Sequence, residues 1–223
     1  MLTLGPGEPP AGPWRSLLPS EVVSALLEGC EGSSPRVIAV DGRSGSGKST
    51  LAGHLAAAAP GSAIVHVDDV AWNAPMFGWA DLLADGVLAP IRRGEAVTYR
   101  PPSWDTHQRP GAIEVPAGAD PVIVEGVGAT RRELTHLLDA TVWVQSDFTE
   151  AERRGIARDI ASAVNGNPEQ TIHFWHQWMA AETPFLATDR PWNRASLIVA
   201  GTRPSPPTPN KLLVAPPLLA TWG

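Results

Sequence analysis

The sequence predicts a three-layer α/β domain built on a mostly parallel sheet. Short apolar runs rich in β-branched residues, which are typical of buried parallel strands, alternate with segments of helical pattern. A chain of 223 residues with 43% hydrophobic residues is long enough for one domain with a sizeable core. The expected strands cover residues 36–40, 63–67, 121–125, 141–144 and 197–200.

Helices are expected before, between and after these strands, and most of them carry a recognisable start signal. The expected helices are a short amphipathic one capped by Ser20, one over 48–59, one opened by a Thr130/Glu133 capping box to about 138, one opened by an Asp147/Glu150 capping box to about 164, and one from Pro168 to about 181.

The predicted domain covers residues 35–200. An N-terminal extension over 1–34, rich in Gly and Pro apart from its short helix, precedes it, and a Pro-rich tail over 201–223 follows in extended form. Residues 70–110 are rich in Trp and Pro with weak periodicity. They predict an insert of loops and short helices.

Composition argues against several classes of protein. The 17 Lys and Arg residues against 23 Asp and Glu give a net charge of -6, which disfavours nucleic acid as the main partner. No apolar run reaches the ~18 residues of a membrane span, and no export signal is visible. The single cysteine, Cys30, allows neither an intrachain disulfide nor a Cys-rich metal site. We therefore expect a cytoplasmic protein away from membranes; a homodimer is compatible with the sequence.

A glycine-rich loop carries the strongest functional signal. Residues 42–49, GRSGSGKS, fit G-x-x-x-x-G-K-[ST] between a predicted strand and a predicted helix, which is the context of a phosphate-binding loop (P-loop). Its glycines let backbone N–H groups converge on phosphate oxygens at a helix N-terminus. The expected nucleotide-binding residues are Gly42, Ser44, Gly45, Ser46, Gly47, Lys48, Ser49 and Thr50.

Two side chains of this loop have distinct chemistry. Lys48, one of only two lysines in the chain, is a compact charge that can follow the β- and γ-phosphates. Ser49 offers its hydroxyl to Mg²⁺. The loop therefore predicts a P-loop NTPase fold that uses ATP and Mg²⁺.

Other motifs narrow the class of P-loop protein. GTPases need a base-reading Asn-Lys-x-Asp, but the only Asn-Lys here, Asn210-Lys211, is followed by two leucines. Mechanical ATPases usually end a strand with Asp-Glu, whereas the candidate strand here ends with Glu125-Gly126. A small chain with a long insert after its second strand is more typical of a small-molecule kinase.

The chain also resembles the uridine kinase family, which is related to phosphoribulokinase and pantothenate kinase, and in particular its short bacterial uridine kinase-like members. The resemblance covers about residues 35–200. It depends on VDGRSGSGKST, Asp68-Asp69 after a strand, VIVEG, Arg153-Arg154 and Arg158-Asp159.

The resemblance implies roles for these residues. Asp68 would be the catalytic carboxylate that accepts the proton of the acceptor hydroxyl, with Asp69 as the competing candidate. Glu125 would hold Mg²⁺ together with Ser49. Segment 147–165 would be a lid helix whose arginines close over the triphosphate, although a solvated basic face paired with Glu150 and Asp159 explains them as well. The implied catalytic set is Asp68, Lys48, Arg154 and Arg158.

The insert departs from the family's acceptor-reading pattern. Pro102-Ser103 stand where the family has a Tyr-Asp pair, and Gly78 stands for an expected acid unless Asp81 supplies it. Losing a phenol and a carboxylate removes groups that would read a nucleoside. Tryptophans of the insert are candidates to line the acceptor pocket, or else ordinary packing residues. The expected acceptor-binding residues are Asp69, Trp79, Trp104, His107 and Arg109.

Together these features predict a kinase that moves the γ-phosphoryl group of ATP to a hydroxyl of a small metabolite, with a nucleoside as one candidate. A nucleotide-binding regulatory protein or weak ATPase without a small acceptor is the alternative from another class. A kinase for an amine or an antibiotic-like hydroxyl is a further alternative.

Overall fold

A computed structural model describes residues 2–30, 35–202 and 210–218. Its strands are β1 (Arg15–Leu17), β2 (Val37–Asp41), β3 (Ala63–His66), β4 (Val97–Tyr99), β5 (Ile113–Val115), β6 (Val122–Glu125), β7 (Ala140–Gln145), β8 (Leu197–Ala200) and β9 (Leu212–Ala215). Its α-helices are α1 (Pro19–Leu27), α2 (Lys48–Ala58), α3 (Val67–Ala71), α4 (Ala80–Leu83), α5 (Ala89–Arg92), α6 (Pro102–Thr106), α7 (Phe148–Ser162) and α8 (Pro168–Asp189).

The main sheet has seven strands in the order β1-β9-β8-β7-β2-β6-β3. The run from β8 to β3 is parallel and contains all the strands expected from the sequence. The apolar core lies on both faces of this sheet, against α1 and α2 on one side and against the insert on the other. The predicted three-layer α/β fold is therefore confirmed.

The register brings strand ends together at one edge. Glu125 at the end of β6 lies opposite Val40 of β2 and opposite His66 of β3. Asp41, the last residue of β2, precedes the glycine-rich loop. Because carboxyl ends of parallel strands form the ligand crevice of such sheets, this register assembles the candidate site.

One strand of the N-terminal extension and one strand of the tail take part in the sheet. β1, from the Gly- and Pro-rich extension, pairs antiparallel with β9 of the tail, and β9 pairs antiparallel with β8. The proline-rich part of the tail, 203–209, lies outside the described residues. In the insert, β4 and β5 form a second, two-stranded antiparallel sheet.

Several expected helix boundaries were wrong. The N-cap of α1 is Leu18 rather than Ser20, because Pro19 takes the first helical position and Glu21 accepts the Leu18 N–H at 2.6 Å. The Thr130/Glu133 capping box does not form, since Thr130 binds Asp41. The segment that follows is a 3₁₀-helix, Arg132–Leu137.

Two other helices differ in length. α7 begins after Asp147, whose side chain accepts the Glu150 N–H at 2.9 Å as expected, and it ends at Ser162. α8 continues past the expected end near 181 to Asp189 with Pro184 inside it. Buried contacts of Glu182 and Leu186 keep this last part helical. In the described part of the chain, every helix is too short or too polar to cross a bilayer.

Candidate nucleotide and acceptor site

The glycine-rich loop turns tightly between β2 and α2. Gly47 is the N-cap of α2 with φ of 101°, a backbone conformation that side chains with a Cβ rarely adopt. A Cβ on Gly45 would lie 2.0 Å from the Ala151 carbonyl oxygen of α7, so only glycine allows this approach. The loop therefore packs directly against the helix that was expected to act as a lid.

The loop side chains divide by exposure. Lys48 is buried, and its Nζ donates to the Arg43 carbonyl at 3.0 Å. Ser46 is buried as well, whereas Ser49 and Thr50 are exposed in the first turn of α2. This arrangement keeps the ammonium inside the loop that would surround a phosphate and leaves the Ser49 hydroxyl open at its edge.

Ser49, Glu125 and His66 form a polar cluster where β3 and β6 end. The Ser49 hydroxyl lies 3.1 and 3.2 Å from the two Glu125 carboxylate oxygens, and His66 Nδ1 lies 2.6 Å from Oε1. Burial would raise the pKa of Glu125, but the His66 hydrogen bond and the Lys48 charge outweigh it and hold that pKa below its usual value. The same bond raises the pKa of His66. An ionised carboxylate beside a hydroxyl is a donor set that fits Mg²⁺.

Asp68 lies in the first turn of α3 rather than at a strand end, because β3 stops at His66. Desolvation within the cleft raises the pKa of Asp68, and the positive charges of Lys48 and Arg158 oppose this shift. Its side chain is nevertheless reached by solvent. Asp68 is thus an accessible carboxylate within electrostatic range of the loop lysine and of Glu125.

A buried carboxylate of α8 holds the loop from the other side, and sequence reasoning missed it. Glu182 is fully buried, and its Oε2 accepts hydrogen bonds from the Ser44 N–H at 3.0 Å, the Ser44 hydroxyl at 2.6 Å and Trp178 Nε1 at 2.8 Å. Ser44 therefore gives both of its donors to Glu182. No local pattern in α8 could have revealed this bond, which joins residues far apart in the chain.

The loop has two further supports that the sequence analysis did not assign. Asp41 accepts four hydrogen bonds, from the backbone N–H groups of Gly42, Gly128 and Thr130 and from the Thr130 hydroxyl, at 2.7–3.0 Å. The position of Asp41 between a buried strand and the glycine-rich loop was the sequence signal that could have identified this support. Glu8 of the N-terminal extension is buried and lies 3.5 Å from the Arg43 guanidinium.

The three arginines of α7 have different partners. Arg153 pairs with Glu150 at 2.8 Å on the exposed face, as the solvated alternative predicts. Arg158 pairs with Asp159 at 2.8 Å and stays 65% exposed, and its charge acts on Asp68 and Glu125. Arg154 points elsewhere: its Nη1 donates to the Gly201 carbonyl at 3.2 Å.

Arg154 lines a cavity of about 370 Å³ beside the loop, together with Ser46, Gly47, Thr50 and His54. Its Nε lies 3.9 Å from the Glu150 carboxylate as a long ion pair, and its buried Nη2 has no hydrogen-bond partner among the described residues. Arg154 therefore lies beside the loop, because it projects from the face of α7 that meets the Gly201 turn.

The expected acceptor residues converge partly. Asp69 Oδ1 lies 2.5 Å from Arg109 Nη2, and the Arg109 guanidinium lies over the Trp104 ring at 3.8 Å. Trp104 Nε1 donates to the Asp69 carbonyl at 2.9 Å. His107 is exposed and meets the edge of Trp72 with ring centres 5.6 Å apart. These residues form one cluster next to Asp68.

Trp79 does not join that cluster. Only 1% of it is exposed, and it packs in the core beneath the insert with Arg131 against its ring. The expectation that Trp79 lines an acceptor pocket was therefore wrong, and the ordinary packing alternative holds. Ser103 is also occupied, since its hydroxyl donates to the Trp72 carbonyl at 2.6 Å.

Solved structures share this architecture at low sequence identity. A candidate fructose transport system kinase from Silicibacter sp. TM1040 is 18% identical with a TM-score of 0.56, over 80% of this chain and 96% of that one. A possible uridine kinase from Bacillus stearothermophilus is 18% identical at 0.52, over 81% and 96%. A D-glycerate 3-kinase from Cryptococcus neoformans is 17% identical at 0.53, over 83% and 95%.

No protein-family model matches the chain, and no curated protein matches its sequence. The likeness to the solved structures establishes the fold and agrees with the resemblance seen in the sequence.

Proposed function

We propose that this protein is an ATP- and Mg²⁺-dependent kinase that transfers the γ-phosphoryl group to a hydroxyl of a small metabolite. One observation carries the proposal: Asp68, a carboxylate accessible to solvent, lies within electrostatic range of both Lys48 and Glu125. A nucleotide-binding module without an acceptor has no need of such a group at this place.

The residues divide the reaction between them. Backbone N–H groups of the loop and the Lys48 ammonium would hold the β- and γ-phosphates. Ser49 and Glu125 would hold Mg²⁺, which when bound offsets phosphate charge. Asp68 would orient the acceptor hydroxyl in line with the γ-phosphorus and take its proton, while Arg158 offsets charge on the transferring group.

The nucleobase would occupy the cavity beside Thr50, His54 and Arg154. This cavity adjoins Ser46 and Gly47, so a base placed there leaves the phosphates at the loop. The buried Nη2 of Arg154 would then gain an acceptor. The names of the solved structures, which are kinases for different acceptors, support phosphoryl transfer without selecting a substrate.

The test uses ADP release from ATP and Mg²⁺ in the presence of a broad panel of hydroxylated metabolites. Stimulation by an acceptor is expected, and Asp68→Asn should lower that stimulated turnover by on the order of 10²-fold or more while ATP affinity stays unchanged. Unchanged turnover in Asp68→Asn would remove the role given to this carboxylate. ADP release that no acceptor stimulates would favour the regulatory protein or weak ATPase. The departure from the family pattern at Pro102-Ser103 supports that alternative.

A further inference from the structure

The guanidinium of Arg109 is positioned by contacts on several sides. It lies 3.8 Å from the centre of the Trp104 ring and 5.2 Å from that of Trp72. Asp69 fixes its Nη2 at 2.5 Å. An arginine held between aromatic faces and one carboxylate has little conformational entropy left to lose when it binds a ligand.

Arg109 keeps donors for such a ligand. Its guanidinium contacts with described residues are the hydrogen bond from Nη2 and the ring contacts, so the N–H groups of Nε and Nη1 are not used by them. The side chain is 28% exposed, so part of it is open to solvent. The planar donor pattern of a guanidinium matches carboxylate and phosphate oxygens better than it matches a single hydroxyl.

Arg109 is tied to the helix that carries Asp68. Asp69, which binds Arg109, is the residue directly after Asp68, and both lie on the short helix α3. A ligand held by Arg109 therefore lies beside the element that presents the Asp68 carboxylate.

The groups of the insert that would read a neutral nucleoside are missing or occupied. Pro102 has no polar side-chain atom, and the Ser103 hydroxyl is bound to the Trp72 carbonyl. Trp79 is buried in the core. Arg109, Asp69 and the exposed His107 therefore remain as the polar side chains of the cluster, and Arg109 is the one among them that carries a fixed positive charge.

We infer that the acceptor is a small hydroxylated anion, whose carboxylate or phosphate monoester binds Arg109 while its hydroxyl lies at Asp68. This inference rests on the proposed kinase function and goes beyond it by naming the charge class of the substrate. Asp69 has the positioning role: it holds Nη2 and thereby fixes the plane of the guanidinium.

The experiment compares acceptors in matched sets by ADP release. Each set keeps one carbon skeleton and varies one group, as in glycerol, glycerate and glycerol 3-phosphate, or ribose, ribonate and ribose 5-phosphate, and uridine is added as the neutral nucleoside. We expect an anionic member to be the best acceptor, and the carboxylate and phosphate members show which anion it is.

The variant Arg109→Gln should lower kcat/KM for that anion by about 10–100-fold, the range for a hydrogen bond to a charged group. Its KM for ATP and its melting temperature should not change. Arg93→Gln is the matched control, because Arg93 is an exposed arginine of the same insert that pairs with Glu95. A best acceptor that is neutral, or an anion whose KM is the same in Arg109→Gln, would overturn this inference and leave the kinase proposal intact. A panel in which nothing stimulates ADP release would contradict both.

Discussion

The phosphate end and the acceptor end of the site are built in different ways. At the phosphate end, consecutive residues of one loop supply backbone N–H groups, a lysine and a hydroxyl, and each has its place in a known spacing. At the acceptor end, Asp69 and Trp72 come from α3 and its C-cap, Trp104 and Arg109 come from α6 and the residues after it, and the two segments are joined by side-chain contacts. The phosphate-binding loop is therefore recognisable from its motif alone, whereas the acceptor residues were expected only from the resemblance and their mutual contacts appear only in the fold.

The largest expected effect comes from a substitution that disables the phosphate end and leaves the acceptor end intact. Lys48→Arg should lower kcat by roughly 10²–10³-fold, the cost of losing one group that stabilises developing charge, because a planar guanidinium cannot replace an ammonium inside the loop. The KM for the acceptor should stay unchanged. Lys211→Arg, at the only other lysine, is the matched control. A Lys48→Arg enzyme within tenfold of the wild type would contradict the role of Lys48.

The second prediction tests whether α8 supports the loop. Glu182→Gln should weaken nucleotide binding by about tenfold, since hydrogen bonds to a charged acceptor lose strength when the charge is removed. Titration with a fluorescent ATP analogue measures this. Glu169→Gln, an exposed position of the same helix, should bind as the wild type does. A change in the free energy of unfolding with no change in affinity would reduce Glu182 to a packing role.

A smaller effect belongs to the acceptor end. Trp104→Phe keeps an aromatic face under Arg109 but loses the bond from Nε1 to the Asp69 carbonyl. The KM for the acceptor should rise by about three- to tenfold, as for one neutral hydrogen bond, and the KM for ATP should not change. Initial rates with each substrate varied in turn separate the two constants. Equal shifts in both constants would show that the two ends are not independent.

The smallest expected effect concerns an ion pair outside both the phosphate end and the acceptor end of the site. Asp120 pairs with Arg36 at 2.8 Å; partial burial would raise the pKa of Asp120, but the Arg36 bonds outweigh it and hold that pKa below its usual value. The pair therefore stabilises the fold above the unfolded-state pKa of ~3.9 and loses this effect as the pH falls through the lowered pKa. Asp120→Asn should cost about 0.5–1 kcal/mol at pH 7 in urea unfolding.

The control for that prediction is activity. Both KM values should match the wild type at pH 7, and the stability difference between Asp120→Asn and wild type should shrink below about pH 4. A difference that is the same at all pH values would assign the effect to packing rather than to charge.

The sequence was sufficient for the parallel strands and for the loop, because both depend on local patterns: apolar runs for the strands and glycine spacing for the loop. It was not sufficient for Glu182 or Glu8, whose partners Ser44 and Arg43 lie far away in the chain. Trp79 was predicted to bind the acceptor but packs in the core. The sequence pattern of an irregular insert does not distinguish a packing tryptophan from a ligand-binding one. The boundary of α8 failed because tertiary burial overrode the helix-breaking tendency of Pro184.

The edge where β1 and β9 pair has a consequence for biosynthesis. β9 lies between β1 and β8, so the chain places its late strand between an early one and the parallel core. During translation, the outer edge of β8 stays open and β1 has no partner until residues 212–215 have left the ribosome. An open edge can pair with other chains, so the nascent protein is expected to be most prone to aggregation before residues 212–215 emerge.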